Sequence, residues 1–249
     1  MEISALTRSV VKRNHAIIAP DGYINSNVPG WTNCTVNVLI NEAMGAKFAQ
    51  TLVTMQADGR LQGETKASQI FFYVVKGAVS ATISGAEKRM TTGHFVYVPI
   101  QQTYVFTEPE ADTQLLTFHK TYEHLEGYTP PDVRFGDAAD VEGPVYMDDP
   151  ALTLQVLLPA DDLAFDMAVN IFTYQSGGHL PMVETHIMEH GLTYLRGQGV
   201  YMLDHQWYPI KEGDTIWMAP YCQQWFTAMG KEPAVYIYYK NVNRFPTTV

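Results

Sequence analysis

Glu184, His186 and His190 fall within one short segment, GHLPMVETHIMEHGLTYLRG, which opens at Gly178 and closes at Gly197. Side chains alternate along a strand, so these three even-numbered positions are expected on one face. A helix would set the first two roughly 200° apart. Two imidazoles and a carboxylate aimed into one space suit a divalent cation. A fourth donor, Gln224, follows in GDTIWMAPYCQQWF. Its amide oxygen is a hard but modest ligand. Gln223 is one position off and is expected to face away. Glu189, beside His190, is expected on the opposite face, and His179 at the surface. His15, His94, His119, His124 and His205 have no convergent partner in the sequence. Two imidazoles with two oxygens suit Mn²⁺, with Fe²⁺, Ni²⁺ and Zn²⁺ as competitors.

The elements that must hold these donors read as strands. FFYVVKG, VSATIS, HFVYVPI, QLLTFHK, LTLQVLLP, MAVNIFTY, TIWMAPY and VYIYYKNV are short, aromatic or β-branched, and bounded by Gly, Pro, Asn or Asp. No long 3.6-residue period appears, and ADDLAF around Asp161 forms a helical turn at most. The expected class is all-β, a sandwich or barrel. The two donor segments carry the spacing of the two cupin motifs, so the expected barrel is a cupin, a double-stranded β-helix or jelly roll.

An internal repeat doubles that unit. Shifted by about 120 positions, the halves align without gaps. Glu64-Thr65 falls on Glu184-Thr185, Gly77 on Gly197, Gly93 on Gly213 and Lys120 on Lys240. The expected organisation is a bicupin: an N-terminal arm over 1–35, an N-terminal cupin over 36–127, a linker rich in Pro, Gly and Asp over 128–148, and a C-terminal cupin over 149–249. In the first copy Lys66, Ile70 and Tyr104 stand where the second has His186, His190 and Gln224. A cation and an apolar side chain do not replace two imidazoles, so that copy is expected to be scaffold or oligomer surface.

Composition excludes several functions. The net charge is −10 with no Lys/Arg run, against a nucleic-acid partner. No apolar run reaches the length of a membrane span. No secretory signal opens the sequence, and the two cysteines, Cys34 and Cys222, suggest no disulfide framework, so cytoplasm is the expected compartment.

The stretch VETHIMEHGLTYLRGQGVYMLDHQWYPIKEGDTIWMAPYCQQWFTAMG with YIYYKNVNR, and APDGYINSNVPGWTNCTVNVLI and HLEGYTPP in the first half, closely resembles the (S)-ureidoglycine aminohydrolase family. These are bicupin enzymes of ureide catabolism. The resemblance implies hydrolysis of (S)-ureidoglycine to (S)-ureidoglycolate and ammonia in purine and allantoin degradation. It implies Mn²⁺ in the C-terminal cupin, held by Glu184, His186, His190 and Gln224. Substrate contacts are implied for Tyr201, Tyr236 and Lys240, in a homo-oligomer with an octamer among the candidates. Lys240 offers a cation to the substrate carboxylate. Tyr236 and Lys240 alternate along one strand and are expected to share a face. Glu184 is also a candidate to move a proton between the leaving amine and water. Two alternatives stay open: another metallocupin enzyme, such as an Fe²⁺ dioxygenase or a sugar isomerase, and a non-catalytic ligand-binding bicupin.

Overall fold

The computed structural model describes residues 7–159 and 161–241. Strands dominate it. Its helices are single 3-10 turns at Pro20–Gly22, Glu42–Met44 and Ala138–Asp140. Asp161–Phe165 holds a turn and no helix. No helix among the described residues is long and apolar enough to cross a membrane.

The chain forms two compact units, and they interleave. One takes the stretch up to Tyr23, Gly143–Val156, and the stretch from Val169 on; the other takes Ile24–Glu142 and Leu157–Ala168. The expected division was four consecutive stretches: an arm over 1–35, a cupin over 36–127, a linker over 128–148 and a cupin over 149–249. Instead, part of the supposed arm is built into the C-terminal unit: His15–Ile18 pairs antiparallel with Thr215–Met218. Arg8 reinforces it with a fork of two bonds to Asp214, at 2.7 and 2.6 Å. A strand this short carries too little periodic signal to announce a partner two hundred residues away.

In the unit with the candidate donors, His190–Arg196 is flanked by Thr215–Met218 and Ala234–Lys240. A second sheet places Gln198–Leu203 between Gln206–Lys211 and Gln224–Ala228. Each strand sends alternate residues inward. Leu192, Tyr194, Tyr201, Phe226 and Tyr236 meet in one buried cluster. Burying each such side chain stabilises the fold by about 1.5–3 kcal/mol. Tyr194 meets Tyr236 edge-on, with ring centroids 5.2 Å apart. The turn into Gln198–Leu203 requires Gly197, whose φ is +80°. A Cβ there would overlap the carbonyl oxygen of Pro233 and lie 2.7 Å from Ala234 Cα.

The other unit fills its interior with apolar side chains. Ile70, Phe72, Tyr104 and Phe106 share its core, with Phe72 and Phe106 centroids 4.5 Å apart. Two of the four positions matching the donors thus belong to that core. Glu64 and Lys66, the other two, are exposed.

The repeat holds through most of the strands. Ala78–Ile83 and Ala86–Thr91 recur as Gln198–Leu203 and Gln206–Lys211, 120 positions on. It slips by one residue before the last strand. Ile70 pairs with His119, whereas its counterpart His190 pairs with Lys240. His119 is therefore the counterpart of Lys240. Lys120, the expected counterpart, pairs with Gln69 and faces the other side of the sheet. The extra residue lies between Gln224–Ala228 and Ala234–Lys240, because Thr107 and Thr227 still occupy equivalent rungs opposite Ser80 and Val200.

Candidate active site

The donor segment is not a strand along its length, contrary to the expectation. Glu184 sits in an isolated antiparallel bridge with Gln224, His186 lies in irregular backbone, and His190 opens the strand His190–Arg196. Two backbone bonds make the bridge: Glu184 N–H to Gln224 O at 2.8 Å and Gln224 N–H to Glu184 O at 2.9 Å. The Tyr221 N–H donates to His186 O at 2.7 Å. The two donor loops are thus stitched to each other, and loop curvature rather than strand pleat brings the side chains together.

The result is one cavity of about 260 Å³, lined by Glu184, His186, His190, Tyr201, Gln224, Tyr236 and Lys240 among others. The His186 and His190 Nε2 atoms are 3.0 Å apart. The Gln224 amide nitrogen lies 3.0 Å from His186 Nε2, and its oxygen accepts from the Tyr201 hydroxyl at 3.3 Å. Met188 O lies 3.1 Å from His186 Nδ1. A carbonyl only accepts, so Nδ1 carries the proton and the Nε2 lone pair faces the cavity.

Electrostatics keep the imidazoles neutral. Burial lowers the pKa of His186, and Lys240 lowers it further. Burial takes His190 well below the usual histidine range, with His186 and Lys240 adding to the effect. Burial raises the Glu184 carboxyl, while Lys240 and the Tyr146 phenol pull it back. Burial likewise lowers Lys240, against the attraction of Glu184.

The donor types suit a divalent cation: two neutral imidazoles, an amide and a carboxylate around one space. The two imidazole Nε2 atoms, 3.0 Å apart, are close enough for one ion to take a lone pair from each. The Gln224 amide must turn over to present oxygen, leaving its NH₂ to donate to the Tyr201 oxygen. As placed, no three His, Cys, Asp or Glu side chains among the described residues are gathered closely enough to hold an ion.

Several cavity residues escape sequence reasoning. Tyr238 lines it too, as the period of Tyr236 and Lys240 would have indicated. Tyr146 reaches it from the strand Val145–Tyr146, inside the stretch expected to be linker, and no sequence signal marks it. Met188 lines it from the donor loop itself. Glu189 is buried outside the cavity, where its carboxylate accepts from Trp217 Nε1 at 3.4 Å. Gln223 and His179 are exposed. Cys222 is buried beside the site, with its thiol pushed up to about 11 by burial.

No family model matches the chain. An (S)-ureidoglycine aminohydrolase of Escherichia coli (strain K12) is 36% identical over 244 residues, covering 95% of this chain and 92% of the relative. That of Arabidopsis thaliana is 35% identical over 246 residues, covering 98% and 81%. Among solved structures, protein Ylba from E. coli aligns with a TM-score of 0.86 at 32% identity over 97% of both chains. A cupin 2 conserved barrel domain protein from Leptotrichia buccalis aligns at 0.61 and 14% identity over 90% of this chain and 95% of its own. The second likeness concerns the fold alone, which is an all-β cupin fold. By its identity to the curated relatives over nearly the whole chain, this protein belongs to the (S)-ureidoglycine aminohydrolase family.

Proposed function

We propose that this protein is an enzyme that hydrolyses (S)-ureidoglycine to (S)-ureidoglycolate and ammonia, with Mn²⁺ as its cofactor. The observation that carries this reading is a single cavity, in one unit, lined by all seven residues expected as ligands or substrate contacts. Glu184, His186, His190 and Gln224 would hold the ion. When bound, it supplies Lewis acidity and a fixed chelating face for the substrate.

The chain's own residues account for the rest. The substrate carries an amine, a ureido group and a carboxylate on one carbon. Lys240, the cation of the cavity wall, pairs with the carboxylate. The Tyr201 and Tyr236 phenols hydrogen-bond the polar groups and fix the orientation of the reacting carbon. Glu184, on the cavity wall, is suited to move a proton between the departing amine and water. The apolar side chains of Phe172, Leu180, Leu192 and Met218 limit the water that enters.

The test is an anaerobic assay of Mn²⁺-loaded protein with freshly generated (S)-ureidoglycine, following ammonia and (S)-ureidoglycolate above the spontaneous background. Stereospecific product from the wild type, absent in His186→Ala, supports the reading. Release at the background rate with bound metal rejects it, and O₂ consumption in a separate aerobic assay would point to an oxygenase instead.

A further inference from the structure

Tyr174 stands one layer behind the cavity wall. It ends the strand Ala168–Tyr174 and has no exposed surface. Its ring stacks on Phe172 at 4.5 Å and meets Phe226 edge-on at 4.9 Å. Its hydroxyl lies 3.0 Å from that of Tyr236, its hydrogen-bond partner among the described residues. A phenol has one proton to give. A buried donor left unpaired is destabilising, so the Tyr174 proton goes to the Tyr236 oxygen.

The consequence falls on Tyr236. With its oxygen accepting from behind, its own proton turns forward, toward the cavity it lines. We propose that Tyr174 is a positioning residue that commits Tyr236 to donate into the cavity. The ligand group facing Tyr236 is then a hydrogen-bond acceptor, a carboxylate or ureido oxygen, and not the substrate amine. This role rests on the cavity being the aminohydrolase active site.

The test is a double-mutant cycle of Tyr174→Phe and Tyr236→Phe, read as kcat/KM for (S)-ureidoglycine, calorimetric affinity for (S)-ureidoglycolate, and thermal midpoint. Tyr174→Phe keeps the ring and its packing. It is expected to lower kcat/KM and product affinity about tenfold. In the Tyr236→Phe background the same change is expected to have no further effect on either. A role in packing alone would lower the midpoint equally in both backgrounds and leave product affinity unchanged. Wild-type turnover with additive losses, or with no loss in Tyr174→Phe, overturns this role alone. A folded, metal-loaded wild type without turnover overturns the aminohydrolase reading and this role with it.

Discussion

Glu184 and Gln224 face each other across a two-bond β-bridge, so a carboxylate and an amide from loops forty residues apart point to the same side of one short ladder. The bridge is backbone and survives a change of side chain. Gln224→Glu would set two carboxylates directly opposite, a repulsion of about 0.2–1 kcal/mol. The expected outcome is a lower thermal midpoint without metal and a larger upward shift on adding Mn²⁺ than in the wild type. Calorimetric melts with and without Mn²⁺ measure both. An equal shift in the two proteins would remove Gln224 from the ligand set.

Lys240 is expected to be needed for activity and costly for stability. Burial lowers its pKa, so the fold bears the desolvation of an ammonium that only Glu184 offsets. Lys240→Met fills the same space without the charge. It is expected to raise stability by on the order of 1 kcal/mol and to raise KM at least tenfold through loss of the carboxylate partner. Chemical denaturation and steady-state kinetics on the same preparation check the pair. A variant that loses stability and keeps its KM would return Lys240 to architecture.

The sequence made the donor types, the strand periods and the repeat legible, because each is written in residue identity at fixed spacing. It did not show how the donors converge. Glu184 and His186 were expected on a strand face, yet loop backbone bonds to Gln224 and Tyr221 bring them together. Tyr146 was hidden because its strand is two residues long. The match of Lys120 to Lys240 misled because an ungapped alignment cannot register one extra residue, and one residue reverses every side chain of a strand.

Lys120 has a different task in its own unit. Its Nζ lies 2.8 Å from Asp166 Oδ2, with both side chains at most 5% exposed. Gln69 Nε2 and the Glu123 N–H also donate to that oxygen, at 3.1 and 2.7 Å. Asp166→Ala would leave the buried ammonium with only the exposed Glu123 carboxylate, 3.6 Å away, and the backbone carbonyl of residue 166 at 3.4 Å. The expected loss is about 3–5 kcal/mol, while Lys120→Met combined with Asp166→Leu recovers most of it. Urea denaturation of the two variants decides; a loss below about 1 kcal/mol in Asp166→Ala would show the pair to be dispensable.

His15 gives the fold an acid sensitivity separate from the candidate site. It is buried in the strand His15–Ile18, with Nδ1 2.9 Å from Asn14 Oδ1 and Nε2 2.9 Å from the Tyr208 hydroxyl. Burial lowers its pKa below 6.5, Lys12 adds to this, and Asp204 opposes it. The folded protein therefore takes up this proton less readily than the unfolded chain. The contribution to stability is complete above about pH 6.5 and is lost as the pH falls through the folded pKa. His15→Gln keeps a polar group near Tyr208 and does not titrate. Thermal midpoints measured from pH 7.5 to 5 are expected to fall more steeply in the wild type, by about 2–4 °C for each kcal/mol involved. Parallel curves for the two proteins would assign the acid sensitivity to other groups.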